Sequence, residues 1–552
     1  MKKIIALLLV AVMVLSLAAC GTKEENTTGT NDGTSAVNGT GTTDISSTGQ
    51  QTTATEGLTE TGELAAGYHY KEEIIIAMAD EFTTIDPMET TAETNQIVQD
   101  CTHDLLTDTN LATMQNEGEL VESWTMEDPT HWTFKLKDNV TFHDGTKLDT
   151  DDVYFTLMER APQHNATSAY AAKIKEFTIV DDLTFKVELV NGDVDFNYTF
   201  AANSLAILSK EAFESMPEEE AVKIGTGPWM FEEFVPGDYV SLVRFEGSTL
   251  YPVPNTKRLV FKMIPEASAR MIALENGEVD VIMSPNATDY ARLIEDENLQ
   301  LITEVGRGQN YVGFNLGNTD SIVTNPKFRL AVAKALDKEE ICLAVWDGYA
   351  TPSTNIHCRD MGYYNEIEGI PYDPEGAQAL FDELGCNGLT LQLFTTDSAV
   401  RTKLATNVQA QLKKYGITVE INQYQAAALN EIFYNTPADT TGVELIVGSW
   451  TPGKNADYMY RNTLYSTGGY NSTHLNDSEV DALIDSAAGE EDTAKRAELY
   501  LELQNKLVTE IIPWVPCAQA TLTFGAAAGV TGAKIHPGLV HQFKECERIV
   551  AD

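Results

Sequence analysis

The sequence predicts an α/β protein whose folded body is divided into more than one lobe. Apolar and polar residues alternate from Trp132 to Lys137, which is typical of a strand with one buried face. Strands and glycine-ended helices alternate from Asp373 to Val447, which favours parallel strands joined by helices. The body that starts near Tyr68 is long enough to form two or more lobes.

The start of the chain has the features of a secretory signal peptide. Met1-Lys2-Lys3 is basic, and the run from Ile4 to Leu17 is apolar apart from Ser16. This run is too short to be a typical transmembrane helix. Leu17-Ala18-Ala19-Cys20 resembles a bacterial lipobox, which implies cleavage before Cys20 and a diacylglyceryl group on its sulfur. The alternative is an ordinary signal peptide followed by a chance cysteine.

Residues 21–67 are predicted to form a disordered tether. Thr, Gly, Ser, Asn and acidic residues dominate this segment, and large apolar residues are almost absent, so it cannot bury a core. A flexible segment attached to a lipid would let the folded body move close to the membrane surface. No other stretch of the sequence is long and apolar enough to cross a bilayer.

The formal net charge of −46 is not offset by a basic patch. Nucleic acid is therefore not an expected partner, because phosphate binding needs clustered Lys and Arg. The charge also disfavours a strongly anionic ligand, unless a local basic pocket overrides it. The cysteines that follow Cys20 have no C-x-x-C or zinc-finger spacing, so both disulfides and buried thiols stay open.

The segment from His131 to Arg160 is predicted to form a hairpin and then a capped helix. After the first strand the chain turns at Asp138-Asn139, and Val140 to His143 alternates as a second strand. The run Asp149-Thr150-Asp151-Asp152 supplies a capping side chain and places negative charge in the first helical turn. The remaining strands are predicted at 73–79, 183–189, 241–244, 279–283, 309–316, 389–394, 417–421, 444–447 and 512–516, and the remaining helices at 95–106, 267–276, from 326 onward, and at 373–384, 400–415 and 496–508.

Several separate motifs together resemble family 5 extracellular solute-binding proteins, the oligopeptide-, dipeptide- and nickel-binding components of ABC importers. They occur in the family's order along the chain. The motifs are Thr141-Phe142-His143-Asp144-Gly145, Gly225-Thr226-Gly227-Pro228-Trp229, ALENGEVDVI from Ala273, QNYVGFNL from Gln309, RLAVAKALDKEEI from Arg329, Gly448-Ser449-Trp450, Tyr470-Asn471-Ser472 and Ile512-Pro513-Trp514-Val515-Pro516. The resemblance runs from about residue 72 to about residue 545.

This resemblance implies a periplasmic-binding-protein-like α/β fold of the large cluster C type. Two hinged lobes would close over the ligand, and the first lobe would carry an extra subdomain. The expected boundaries are 1–19 for the signal peptide, 20–67 for the lipidated cysteine and tether, 68–94 and 223–313 for the first lobe, 95–222 for the extra subdomain, 314–518 for the second lobe, and 519–552 for the return to the first lobe.

The resemblance also points to ligand-binding residues. Trp450 would stack on the ligand, Ser449 and Thr451 would offer backbone hydrogen bonds, and Asp457 would pair with a positive group. The residues expected to face them from the other lobe are Thr90, Thr91, Asn310 and Tyr311, although a core aromatic explains Tyr311 equally well. Peptide-binding members carry a carboxylate three residues after the tryptophan, and that position is Gly453 here, which puts peptide specificity in doubt.

The expected function is delivery of a small ligand, foremost an oligopeptide or dipeptide, to the permease of an ABC importer. The protein would act as a lipid-anchored monomer on the extracytoplasmic face of the cell membrane, without a catalytic residue, metal or other cofactor. No H-E-x-x-H, G-x-S-x-G or P-loop motif occurs in the sequence, although its 83 acidic residues leave a carboxylate pair open. The alternatives are a surface-anchored hydrolase and a sensory lipoprotein that lost transport.

Overall fold

The structure is a computed structural model that describes residues 57–59, 63–110, 115–358, 361–451 and 455–552. All of these residues belong to one unit, Ser47–Asp552. The predicted signal peptide, Cys20, most of the predicted tether and Gly453 lie outside the described residues.

Twenty strands run through the described residues. In chain order they are β1 Tyr68–Tyr70, β2 Glu73–Met78, β3 Thr107–Thr109, β4 Asn116–Gly118, β5 Val121–Asp128, β6 His131–Leu136, β7 Ile174–Asp181, β8 Thr184–Leu189, β9 Trp229–Val235, β10 Tyr239–Arg244, β11 Arg258–Met263, β12 Val281–Met283, β13 Leu299–Phe314, β14 Ala350–Pro352, β15 Thr390–Thr396, β16 Thr418–Tyr424, β17 Leu445–Trp450, β18 Trp514–Ala527, β19 Val530–Thr531 and β20 Glu547–Ala551.

Fifteen α-helices accompany the strands in the same residues. They are α1 Glu93–Thr102, α2 Thr150–Tyr154, α3 Ser168–Ala171, α4 Lys210–Ser215, α5 Glu218–Ala221, α6 Ala267–Glu275, α7 Tyr290–Glu295, α8 Pro326–Ala335, α9 Lys338–Trp346, α10 Pro374–Glu383, α11 Ala399–Lys413, α12 Ala426–Asn430, α13 Ala456–Thr463, α14 Ser478–Gly489 and α15 Thr493–Asn505. Short 3-10 segments lie at Pro87–Glu89, Ala161–Gln163, Phe196–Ala201, Asn203–Leu205, Ala287–Asp289 and Ile322–Thr324, and π segments lie at Phe155–Arg160, Glu431–Asn435 and Lys506–Ile511.

One sheet of eleven strands runs through most of the described chain, in the order β16-β15-β17-β13-β18-β12-β2-β11-β10-β9, with β14 beside β18. The antiparallel strands β13 and β18 are its longest members and lie at its middle. Parallel pairs flank them, β15 with β16 and β17 on one side and β2 with β11 and β12 on the other. The predicted parallel pairing between 389 and 447 is therefore confirmed.

A separate antiparallel sheet of four strands, β5-β6-β8-β7, contains the first predicted strand of the hairpin as β6. Its buried face is aromatic, and the rings of Phe134 and Phe185 stack 5.2 Å apart. The second predicted strand is wrong, since Val140 to His143 forms only an isolated bridge between Thr141 and Lys147. The reason is that its backbone bonds elsewhere, with the His143 amide donating to the carbonyl of Gly225 over 2.9 Å.

Two of the family motifs pack directly on each other through this contact. The amide of Gly225 donates to Nδ1 of His143, and Nε2 of the same ring lies 3.0 Å from the carbonyl oxygen of Gly227. A Cβ atom at Gly225 would lie 2.1 Å from the carbonyl oxygen of Thr102, so only glycine fits the close approach. His143 therefore has a scaffold role.

Predicted helix ends are confirmed where a side chain or a glycine sets them. Asp149 caps α2 and forms a capping box with Asp152, and Asp373 caps α10 through the amide of Gly376. Gly277 follows α6 with a φ of +71°, in the left-handed region that suits a glycine at a helix end.

The buried apolar residues form four clusters. One surrounds β2, β11 and β12, a second surrounds β15 and α11, a third fills the four-stranded sheet, and a fourth lies around α13 and α15. The six cysteines of the described residues, Cys101, Cys342, Cys358, Cys386, Cys517 and Cys546, are buried and free of disulfides. The lobe boundaries given above stay a prediction.

Candidate solute-binding site

A cavity of about 650 Å³ opens between four parts of the chain. Its size lies within the range that small-molecule sites occupy in proteins. Its lining comes from the start of the body (Thr91, Gln96, Asp100, Asp108), from the segment around α3 and the two 3-10 segments after β8 (Tyr170, Lys173, Asp193, Tyr198, Thr199, Ala201, Ala202, Asn203, Ser204), from β13 and the region of α13 (Arg307, Thr451, Asn455, Asp457, Tyr458, Arg461, Asn462), and from the C-terminal segment (His536, Gly538, Val540, Gln542).

The wall formed by α13 presents a fixed ion pair. Asn455 caps this helix by accepting a hydrogen bond from the amide of Tyr458, which sets where the helix begins. One turn apart on the helix, Arg461 donates to the carboxylate of Asp457 through Nε and Nη2 over 2.9–3.1 Å. Asp485 holds Nη1 of the same guanidinium at 2.9 Å. The pair is thus braced from outside the cavity.

Burial raises the pKa of Asp457 above its ordinary value, and the hydrogen bonds and charge of Arg461 oppose this shift. The charge on Asp193 also raises the pKa of Asp457, whereas the charge on Lys173 lowers it. The charged groups of both walls therefore act on the Asp457 carboxylate.

The second charged wall is built around Lys173. Its ammonium donates to Oδ2 of Asp193 over 3.1 Å and to the hydroxyl of Thr199 over 3.2 Å. The Lys173 side chain is 43% exposed, and these contacts use two of the three N–H bonds of its ammonium. Tyr170 and Tyr198 line the same wall, and burial raises the pKa of both phenols, which therefore stay neutral hydrogen-bonding groups at physiological pH.

The back of the cavity holds Arg307 against the C-terminal segment. The amide of Arg307 donates to the carbonyl of Pro537, and a Cβ atom at Gly538 would lie 2.9 Å from Nη1 of Arg307. Glycine at this position therefore lets the guanidinium approach the backbone. Nearby, Nε2 of Gln542 donates to Asp108 over 3.2 Å, which joins the C-terminal segment to β3.

A buried ionic cluster lies under this wall. The ammonium of Lys544 donates to Asp104, Glu119 and Tyr251 over 2.6–3.1 Å, and Asp100 of the cavity lining lies 3.7 Å from it. Burial raises the pKa of Glu119, and the charge of Lys544 opposes that shift. The hydroxyl of Tyr251 also lies within hydrogen-bond distance of Asp104 and Glu119, so the cluster joins the C-terminal segment to the residues that follow α1.

Three of the residues predicted from the family motifs line the cavity: Thr91, Thr451 and Asp457. Thr91 lies just before α1, and Thr451 directly follows β17. Asp457 was predicted to pair with a positive group of the ligand, and in the structure it already pairs with Arg461.

The other predicted residues are not part of this cavity lining. Trp450 packs against Tyr470 with ring centroids 5.2 Å apart, and Ser449 accepts a hydrogen bond from Arg401 over 2.7 Å. Asn310 donates to the carbonyl of Ala518, and Thr90 accepts a hydrogen bond from the amide of Ala92.

Asn310 and Tyr311 were expected to face the tryptophan motif from the opposite lobe. The structure instead pairs them with it on adjacent strands, with Asn310 opposite Ser449 and Tyr311 opposite Gly448. Tyr311 is buried, and its ring packs 4.0 Å from that of Trp514, which matches the core-aromatic alternative.

Sequence reasoning missed Lys173, Asp193, Arg307 and Arg461. Arg461 could have been found from the sequence, because Asp457 and Arg461 are spaced i, i+4 on a predictable helix. Lys173 and Asp193 are twenty positions apart and meet only through the fold of the four-stranded sheet region. Within the described residues, no group of three or more His, Cys, Asp or Glu side chains could hold a metal ion, and no helix could span a bilayer.

The family model for bacterial extracellular solute-binding proteins, family 5 (middle region), matches residues 116–472. The chain belongs to this family. The resemblance read from the motifs is therefore confirmed, and so is the periplasmic-binding-protein fold of the family 5 type, which the solved structures below share.

Family 5 relatives of known name match over most of their length. The glutathione-binding protein GsiB of Salmonella paratyphi A is 23% identical over 487 residues, which cover 86% of this chain and 94% of GsiB. Heme-binding protein A of Haemophilus influenzae is 28% identical over 441 residues, covering 73% of this chain and 79% of the relative.

Solved structures show the same fold. The substrate-binding protein CtaP of an ABC transporter from Listeria monocytogenes has a TM-score of 0.76 at 23% identity, covering 86% of this chain and 99% of CtaP. HbpA2 from Haemophilus parasuis has a TM-score of 0.76 at 25% identity, covering 87% of this chain and all of that chain, 100%.

Proposed function

We propose that this protein captures a small polar solute in the 650 Å³ cavity and delivers it to the permease of an ABC importer. The observation that carries this proposal is the cavity itself, whose lining is drawn from four distant parts of a family 5 chain. Sites assembled from separate parts of a chain, with a few placed charges, are typical of small-ligand binding.

The leading ligand class is a short peptide or a peptide-like molecule. The lining contains the carboxylates of Asp100, Asp108, Asp193 and Asp457 and the cations of Lys173, Arg307 and Arg461, so its charges nearly cancel. A nearly neutral lining within a chain of net charge −46 disfavours a strongly anionic solute. It suits a molecule that carries both an ammonium and a carboxylate.

The roles of the predicted residues form part of the proposal. Thr91, Thr451 and Asp457 would contact the solute directly, since they line the cavity. Trp450, Ser449, Asn310, Tyr311 and Thr90 lie in or next to the strands and turns that position this lining, and their contact with the solute would require a rearrangement of the wall.

The protein would work as a monomer, anchored through a lipid on Cys20 and a tether that extends to residue 67. Two lobes that meet at the paired strands β13 and β18 would close over the solute. A differential affinity of about 5.5 kcal/mol for the closed form is enough to switch nearly the whole population and to report occupancy to the permease.

Native mass spectrometry of the protein purified from its own cells tests this function. We expect a bound small molecule whose release lowers the thermal unfolding midpoint, because a ligand that binds only the folded state stabilises it. The variant Ala202→Trp places a large ring in the cavity lining and should lose the bound molecule. Its control is Ala269→Trp on an exposed position of α6, which should keep it.

A protein that carries no small molecule, and whose midpoint responds to no member of a peptide and metabolite library, would contradict the proposed function. Chemical change of the bound molecule during incubation would favour the hydrolase alternative instead. Uptake of the identified solute by cells that lack this protein, at the rate of unmodified cells, would contradict the delivery step.

A further inference from the structure

We propose that Glu119 carries a bound proton at neutral pH, and that this proton fastens the C-terminal wall of the cavity to the rest of the body. Glu119 belongs to the buried ionic cluster around Lys544, for which the proposed function has no role. The proton would be present in the protein without solute, so it can be tested independently of solute capture.

The contacts of the Tyr251 hydroxyl require one hydrogen more than the phenol supplies. Its oxygen lies 2.8 Å from Oδ1 of Asp104 and 2.7 Å from Oε1 of Glu119. Both distances are those of O–H···O hydrogen bonds, and each bond needs a hydrogen between its two oxygens. The phenol has one hydrogen, so the second must come from one of the two carboxyl groups. If both carboxyl groups were ionised, one pair of oxygens would be in contact with no hydrogen between them.

The charge balance of the cluster leads to the same conclusion. The ammonium of Lys544 lies 3.7 Å from a carboxyl oxygen of Asp100, 2.9 Å from one of Asp104 and 2.6 Å from one of Glu119, and the four side chains are at most 11% exposed. Three carboxylates around one ammonium would leave an excess of buried negative charge. Because burial penalises such a charge, a carboxyl group in this position takes up a proton instead.

Glu119, rather than Asp104, is the carboxyl group that takes the proton. Burial raises the pKa of Glu119 from 4.5 to about 8, against the opposing charge of Lys544. The charges of Asp104, Asp108 and Asp100 add to this rise. Burial acts on Asp104 in the same direction, but the charge and hydrogen bond of Lys544, together with two hydroxyl groups, hold the pKa of Asp104 below its ordinary value.

The two histidines near Asp104 are uncharged at neutral pH. Burial lowers the pKa of His103 to about 3, and burial likewise lowers the pKa of His143 below its ordinary value of 6.5. Neither ring therefore adds a positive charge that would replace the proton on Glu119.

The cluster continues directly into the C-terminal wall of the cavity. Gln542 of the lining precedes Lys544 by two residues, and its Nε2 donates to Asp108 over 3.2 Å. Loss of the Glu119 proton would add a buried negative charge beside Asp104. It would also remove one of the two hydrogen bonds that join the carboxyl groups through the phenol. The wall would then be held less firmly, because the contacts of Lys544 are what attach it.

Infrared difference spectroscopy at pH 7 tests the proton directly, because a protonated carboxyl group has a C=O stretching band that an ionised carboxylate lacks. We expect this band to lose the intensity of one carboxyl group in Glu119→Gln and to keep it in Asp104→Asn. Glu117→Gln is the control, because Glu117 is exposed on the neighbouring strand β4 and should leave the band unchanged. An undiminished band in Glu119→Gln overturns the assignment.

The pH dependence of unfolding tests the energetic link. The pKa of Glu119 is higher in the folded protein than its ordinary value, so its contribution to stability is present at low pH and is lost as the pH rises through about 8. From pH 6.5 to pH 7.5 this group alone should raise the unfolding equilibrium constant about tenfold. Urea unfolding of Glu119→Gln should lack this part of the rise, and a rise equal to that of the unmodified protein contradicts a linked proton.

Hydrogen–deuterium exchange of the unmodified protein tests the fastening and needs no variant. After correction for the intrinsic exchange rate, residues 536–546 should lose protection by at least about threefold between pH 7 and pH 9.5, relative to the distant strand β6. Equal changes in the two segments overturn the fastening role. None of these measurements uses a solute, so a negative result leaves the proposed function untouched.

Discussion

At the scale of single residues, the ion pair between Asp195 and Arg496 shows how the structure treats buried charge. Their side chains are 7% and 6% exposed, their charged atoms lie 2.9 Å apart, and the guanidinium also lies over the ring of Tyr363. The two residues are 301 positions apart, so the pair joins the segment after β8 to α15. Removing one partner would leave the other charge buried without compensation.

Arg496→Met should therefore lower the free energy of unfolding by roughly 3–5 kcal/mol. Urea unfolding followed by circular dichroism measures this change. The control Lys175→Met removes an exposed ion pair and should cost less than about 1 kcal/mol. Equal effects of the two substitutions would show that Asp195–Arg496 does not behave as a buried pair.

Asp195 also predicts a pH dependence. Burial raises its pKa from 3.8 to about 6 despite the opposing charge of Arg496. Between these two values the native state binds more protons at this group than the unfolded state does. The contribution of Asp195 to stability is therefore present at low pH and is lost as the pH rises through about 6.

The free energy of unfolding, measured at pH 5 and at pH 7.5, checks the direction of this effect. The contribution of Asp195 should make the protein less stable at pH 7.5 than at pH 5. Asp195→Asn should reduce this difference, because the amide does not titrate. Other titrating groups contribute equally to both proteins. An identical pH profile in the variant would contradict the assigned cause.

At the scale of elements, local signals predicted helix starts well. The capping box of Asp149 and Asp152 is a short-range pattern, and the helix begins where this pattern places it. The strand predicted at Val140–His143 failed for the opposite reason. Its alternation is genuine, but the backbone of His143 bonds to the turn at Gly225, a contact that alternation does not encode.

Asp149→Ala should destabilise the protein by about 1 kcal/mol, since the amides at the start of α2 lose their acceptor. Asp151→Ala is the matched control in the same turn, because Asp151 contributes only through the helix dipole and a long contact to Lys210. Chemical denaturation of both variants gives the comparison. A larger effect in the control would argue against the capping role.

The packing of the Gly225 turn on α1 gives a second prediction at this scale. Gly225→Ala would place a methyl group 2.1 Å from the carbonyl oxygen of Thr102, so the backbone must shift. Overpacking of this type costs about 1–3 kcal/mol or more. Gly489→Ala is the control, because no atom lies within 4 Å of its Cβ position and its unfolding midpoint should barely change.

At the scale of the whole molecule, the sequence motifs predicted the family and fold but not the cavity. The motifs are short and contiguous, so they can be read along the chain. The cavity combines Lys173, Arg307, Asp457 and Gln542, which come together only through the folded chain. Asp457 was found because it follows a recognisable motif, whereas Lys173 and Arg307 have no local signal.

The central claim is that the cavity binds one small molecule and leaves it unchanged. Calorimetric titration of the stripped protein with the solute recovered from it, followed by mass analysis of the solute, measures both parts. We predict one solute per protein, an unaltered solute mass, and no measurable binding to Ala202→Trp. Binding that survives this substitution, or a solute that returns with a different mass, would contradict the account.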